Sequence, residues 1–216
     1  QKFVHYLLSC NAGEVLVMFF AALVGWPVPL LAIQILWINL VTDGLPALAL
    51  GMEPPEKDIM QRTPRPPREP VITPERGLLI LSHGVLIAAA SIAGFWLTYQ
   101  GDDAHLPLAR TVTFCIVAFS QLFFSIGCRS HHATMPQLGP FTNPYLILAI
   151  VISGLLQLAV VILPFAQPVF EVTESLGSSW TLIVLLSLAP ITVIEVSKLL
   201  KAGWLALQTA TRLRHS

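Results

Sequence analysis

From Pro144 to Pro164 the chain reads PYLILAIVISGLLQLAVVILP, without one charged residue. A run this long and apolar can cross a bilayer only as a helix. About 20 residues at ~1.5 Å each span ~30 Å of hydrocarbon, and lipid offers a backbone amide no partner outside its own helix. Five further runs resemble it, so the spans are placed near 3–24, 29–50, 77–99, 110–128, 144–164 and 180–201. The sequence therefore predicts an all-α fold: one membrane domain over residues 1–216, built as a bundle of six transmembrane helices. Only 11% of residues are charged, against about 25% in soluble domains, which excludes a water-soluble globule. Lys plus Arg and Asp plus Glu number 12 each, so no basic field exists to draw the protein onto nucleic acid. Cys10, Cys115 and Cys128 have no metal-ligand or disulfide spacing and read as small buried apolar residues.

Orientation follows from where Lys and Arg collect, because short basic loops stay cytoplasmic. Lys2 opens the first span; Lys57, Arg62, Arg65, Arg68 and Arg76 separate spans two and three; Arg129 follows span four; Lys198, Lys201, Arg212 and Arg214 close the chain. Only Arg110 falls on the other side, where Asp102, Asp103, Glu171 and Glu174 gather. Both termini are thus expected in the cytoplasm. The connector 51–76 carries seven prolines, which forbid a continuous helix and suit a loop or docking strap. Gln1 stands where a start methionine would, and the first run lacks a basic leader and a cleavage site, so the chain reads as a piece of a longer protein rather than as one with a secretory signal.

Two carboxylates occupy expensive positions inside the bilayer, Glu14 in span one and Asp43 in span two. Only Gly25-Trp26-Pro27-Val28 separates these spans, so they are expected to be antiparallel neighbours. Counting inward from that turn puts Glu14 and Asn39 about 15 Å deep and Asp43 about 21 Å deep. Asn11 lies three residues from Glu14, and Thr42 and Asp43 three and four from Asn39, so each set is expected on one helix face. Pro46 removes an amide donor beside Gly44, so span two is expected to break near Asp43–Pro46. Unwound carbonyls beside carboxylate and amide oxygens make a hard-cation site of the kind transporters build at the midplane. The same depth rule brings Gln121 of span four to this level as a third-helix ligand. The plainer alternative is an interhelical hydrogen bond between Glu14 and Asp43 with one carboxyl protonated, and helix-to-helix glue for Asn11, Asn39, Thr42 and Gln121.

The remaining polar and small residues are read structurally. Gly84 with Ala88, and Ala90 with Gly94, mark span three as a packing helix. Gln157 reads as glue, Glu195 and Lys198 as a snorkelling surface pair, His131 and His132 as a solvated loop, and Pro190 as a kink in span six.

The stretch from Ser9 to Val15 (SCNAGEV), followed by WINLVTDGLPALALGMEPPEKDIMQRTPRPP from Trp37 to Pro67, resembles the carboxy-terminal membrane region, helices five to ten, of P-type cation-transporting ATPases, specifically the calcium-pump branch. The resemblance implies that Asn11, Glu14, Asn39, Thr42 and Asp43 bind calcium. Asn39 stands where sodium-potassium pumps carry aspartate, which favours calcium, and Gln121 replaces the calcium pump's eighth-helix glutamate, which leaves one secure site. Manganese accepts the same oxygen ligands. The Asp-Lys-Thr-Gly phosphorylation motif is absent from these residues, so ATP and Mg2+ are expected to act in actuator, nucleotide-binding and phosphorylation domains outside them, alongside four further membrane helices. The chain itself is then not catalytic. It is expected as a multi-pass protein of the plasma membrane, with the lipid bilayer as its main partner. The alternatives are an ATP-independent cation channel or carrier, and a non-transporting membrane scaffold fragment.

Overall fold

A computed structural model describes residues 2–53, 72–130, 142–173 and 176–214, with side chains described as far as Lys201 and at Trp204. Most of the connector 51–76, together with His131, His132 and Glu174, lies outside the described residues.

Helix α1 spans Lys2–Val24. It ends on Gly25, whose φ of 76° only glycine adopts without strain. There Trp26 N donates to Ala21 O and Gly25 N to Ala22 O, at 2.9 and 3.3 Å, which closes the helix as a Schellman motif. The second span begins at Ala32 rather than near residue 29, after a non-helical link that holds Pro27 and Pro29. It is built from α2 (Ala32–Trp37), a π-helical segment (Ile38–Thr42) and α3 (Gly44–Gly51).

Helix α4 (Pro74–Tyr99) starts where the Thr73 hydroxyl accepts from Arg76 N, with Pro74 preset in its first turn. A short turn at Asp103–His105 leads into α5 (Leu106–Gly127). Helix α6 (Pro144–Ile162) is capped by Asn143, whose Oδ1 accepts from Leu146 N at 3.0 Å. A short α7 (Gln167–Phe170) precedes α8 (Ser179–Arg214), which runs through Pro190 as one helix. No strand occurs among the described residues, and six helical spans there are long and apolar enough to cross a membrane.

The spans form a bundle with α5 at its centre: 78% of the fourth span is buried, against 22–44% of the others. The remaining helices turn large apolar side chains outward, among them Leu23, Leu40, Leu78, Leu155 and Leu200. An apolar exterior around an ordered interior is the arrangement lipid requires, and the chain is a multi-pass membrane protein.

Small residues set the closest approach. A Cβ on Gly84 would lie 2.9 Å from Ala12 Cβ and 3.1 Å from both Gly13 N and Ser9 O, so α4 meets the backbone of α1 directly. Gly94 faces the Ile116 side chain of α5 instead. The small-residue pattern of span three thus serves two partners. Gly84→Ala is expected to cost about 1–3 kcal/mol by overpacking, read as a lower unfolding midpoint of the full-length protein in detergent.

Two ion pairs tie helix ends together, and one of them is read from the sequence as a surface pair. Arg129 is buried, with its Nε 3.1 Å from Glu53 Oε1. Its Nη2 also donates to Thr142, and Asn143 donates to Glu53 Oε2 and to Ala49 O. These contacts join the ends of α3, α5 and α6. Lys198 is not a surface residue either: its side chain is 10% exposed, and its Nζ reaches Glu195 Oε1 at 2.8 Å and Gly127 O at 2.9 Å. The helix end of α5 leaves that carbonyl without an intrahelical donor, and the ammonium takes it. The three cysteines are free and buried, as their spacing implied.

Candidate functional site

Glu14 is 4% exposed on α1, and both of its carboxylate oxygens are held by amides from other helices. Asn39 Nδ2 donates to Oε2 at 2.8 Å, and Gln121 Nε2 donates to Oε1 at 2.9 Å. The two spans and central α5 therefore meet at one carboxylate, as depth counting predicts. Asp43 is fully buried one turn further along the second span, within electrostatic reach of Glu14.

The backbone around Asp43 departs from the expected break. Over Ile38–Thr42 the helix widens to π geometry, and Asp43 N donates to Ile38 O at 2.9 Å, five residues back. Regular helix resumes at Gly44 and runs through Pro46. The irregularity thus lies one turn before the proline. Pro46 has no N–H, so it can serve neither Thr42 O, its acceptor in an α-helix, nor Val41 O, its acceptor in a π-helix. Ser153 of α6 donates its hydroxyl to Val41 O at 3.0 Å. A side chain from a neighbouring helix therefore satisfies a carbonyl the proline leaves open.

Of the predicted residues, one turns away from the centre and another bonds back to its own helix. Asn11 is exposed, and its Nδ2 donates to Leu7 O of its own helix at 2.9 Å; it and Glu14 do not share a buried face. Thr42 is buried but gives its hydroxyl hydrogen to Ile38 O at 2.8 Å, leaving its oxygen lone pairs as acceptors. Gln157 acts as glue: its Oε1 accepts from Trp37 Nε1 at 3.0 Å across α2 and α6.

Sequence reasoning missed Tyr6. It is fully buried, and its hydroxyl donates to Asp43 Oδ1 at 3.0 Å. Counting two turns from Glu14 toward the basic end would have reached it. Tyr6→Phe leaves a buried carboxylate oxygen without its donor and is expected to cost about 1–3 kcal/mol, measurable as a drop in the unfolding midpoint.

Asp43 Oδ2 and Gln121 Oε1 are buried and have no hydrogen-bond partner. Leaving such atoms unpaired is costly, and both are oxygens. Among the described residues no group of three or more His, Cys, Asp or Glu side chains gathers. The donor set at this level is two carboxylates with amide, hydroxyl and carbonyl oxygens. That is hard-cation chemistry rather than the nitrogen and sulfur chemistry of zinc or copper.

Helices with an apolar exterior and a buried acidic centre define a polytopic membrane bundle with an ionisable core. The chain belongs to the family described as "Cation transporting ATPase, C-terminus", which matches residues 27–200. It is 44% identical over 190 residues to the "Calcium-transporting ATPase" of Bacillus subtilis, a match covering 88% of this chain and 21% of that protein. It is 37% identical over 216 residues to the "Calcium-transporting ATPase 1" of Bacillus cereus, a match covering 93% of this chain and 24% of that protein. The "Endoplasmic reticulum calcium ATPase srcA" of Aspergillus fumigatus is 29% identical over 231 residues, with 93% and 24% covered. The chain spans between a fifth and a quarter of the length of these curated relatives.

Proposed function

We propose that the chain is the membrane ion-binding portion of a P-type ATPase that transports calcium. The observation that carries this reading is the meeting of α1, the π-helical second span and α5 at Glu14, with Asp43 beside it and two buried oxygens unpaired. Glu14 and Asp43 supply the charge that offsets a divalent ion. Asn39, Thr42 and Gln121 supply neutral oxygens, and Asn11 joins them by swinging off Leu7 O. One calcium site results, since Gln121 brings no third charge. The names of the relatives support calcium as cargo.

ATP hydrolysis, with its Mg2+, belongs to actuator, nucleotide-binding and phosphorylation domains elsewhere in the full-length protein, together with further membrane helices. Movement of α1 would draw Glu14 away from Asn39 and Gln121 and so loosen the ion. Carboxylates left without a cation in a low-dielectric site take up protons, so proton countertransport belongs to the same reading. The bundle sits in the plasma membrane as one membrane domain, with both termini and the connector 51–76 cytoplasmic.

The test is uptake of radiolabelled calcium by the full-length protein in sealed vesicles, with and without ATP and with manganese as competitor. ATP-dependent calcium accumulation is expected. Uptake that needs no ATP would move the chain to the channels and carriers, and manganese uptake that calcium does not inhibit would reassign the cargo.

A further inference from the structure

Helix α6 carries no charge from Pro144 to Ile162, and none of the oxygens proposed for the ion comes from it. It nonetheless holds the second span at two points, four residues apart on each partner. Gln157 Oε1 accepts from Trp37 Nε1 at 3.0 Å, and the Ser153 hydroxyl donates to Val41 O at 3.0 Å. Trp37 stands immediately before the π-helical segment Ile38–Thr42, and Val41 lies near its end. Ser153 and Gln157 are fully buried, and their spacing puts both on one face of α6. Two side chains of one helix therefore grip the irregular stretch at both ends.

The grip favours one backbone register. Pro46 has no N–H, so whichever way the segment winds, one carbonyl loses its donor: Thr42 O in an α-helix, Val41 O in a π-helix. A buried carbonyl left unpaired is costly. Ser153 serves Val41 O, so its hydroxyl stabilises the π-helical register, the one marked by the 2.9 Å bond from Asp43 N to Ile38 O. That register also sets the site. Asn39, which donates to Glu14 at 2.8 Å, lies inside the segment, and Asp43 follows its last residue. Rewinding the segment as an α-helix would turn Asp43 relative to Asn39 and scatter the oxygens an ion must collect. Apparent affinity then falls with the fraction of molecules in the matching register.

We propose, on the reading of Glu14 and Asp43 as a calcium site, that Ser153 and Gln157 are positioning residues: α6 supplies no ligand but sets calcium affinity by clamping the second span in its π-helical register. The experiment measures ATP-driven calcium uptake by the full-length protein in sealed vesicles over a range of free calcium, which separates half-saturating calcium from maximal rate. Ser153→Ala removes one hydroxyl without adding bulk. It is expected to raise half-saturating calcium about tenfold, the factor for losing one buried hydrogen bond. The rate at saturating calcium stays near that of the parent, because excess ion draws the segment back into register. Gln157→Leu moves half-saturation in the same direction. Ser91→Ala is the control: Ser91 is equally buried but donates to Ile87 O of its own helix, and its half-saturating calcium stays at the parent value. Unchanged half-saturation in Ser153→Ala overturns the proposal while leaving the calcium site in place. So does a shift that Ser91→Ala reproduces, which would mark a general softening of the bundle. A parent that accumulates no calcium overturns the site itself and the clamp with it.

Discussion

Asp43→Asn is expected to lower ATP-driven calcium uptake by the full-length protein at least about 100-fold, since even the outer partners of metal ligands are worth about 10–100-fold. The substitution keeps shape and volume. Its amide oxygen can still accept from Tyr6, whose hydroxyl sits 3.0 Å from Asp43 Oδ1, so the buried network survives in outline. The change removes one of the two charges in the site. Glu14→Gln is a poorer probe, because both oxygens of Glu14 accept from amides of Asn39 and Gln121, and a glutamine NH2 would face one of those donors. Expression and unfolding midpoint of Asp43→Asn should therefore stay close to the parent while uptake collapses. Unchanged uptake with a normal midpoint would remove Asp43 from the site and, with it, the reading of the second span as ion-binding.

The number of spans and the depth of the acids follow from lipid alone. A run such as Pro144–Pro164 has no other way to satisfy its backbone, and a short link after Val24 forces Glu14 and Asn39 to the same level, where they bond at 2.8 Å. Facing is a different matter. Hydropathy says which residues lie in the bilayer, but lipid and protein are equally apolar neighbours, so it cannot say which side of a helix meets another helix. Asn11 illustrates the limit: three residues from Glu14, it still turns outward to Leu7 O. The backbone irregularity was displaced for a local reason, since a proline acts through the acceptors four and five residues before it. Lys198 is misplaced because charge alone assigns a residue to water, yet it lies against the end of α5, where the unpaired Gly127 carbonyl holds its ammonium inside. Tyr6 was overlooked because its ring is apolar by composition and only its hydroxyl belongs to the site.

Arg129→Met is expected to destabilise the full-length protein by about 3–5 kcal/mol, the range for removing one member of a buried ion pair. Glu53 would keep its charge in a site where its side chain is only 6% exposed, with Asn143 as its remaining donor. Because Glu53 follows α3, Arg129 follows α5 and Asn143 caps α6, the loss falls on the junction that holds the basic end of the second span in place. Pairing Arg129→Met with Glu53→Leu replaces both charges by apolar groups of similar size. That double variant should be more stable than Arg129→Met alone, since no unpaired charge remains buried, and the cycle should show a coupling of about 1.5 kcal/mol or more. The readout is the SDS-unfolding midpoint of the parent, both singles and the double. Additive losses would mean that the two side chains do not depend on each other, and that Thr142 and Asn143, rather than the ion pair, hold the junction together.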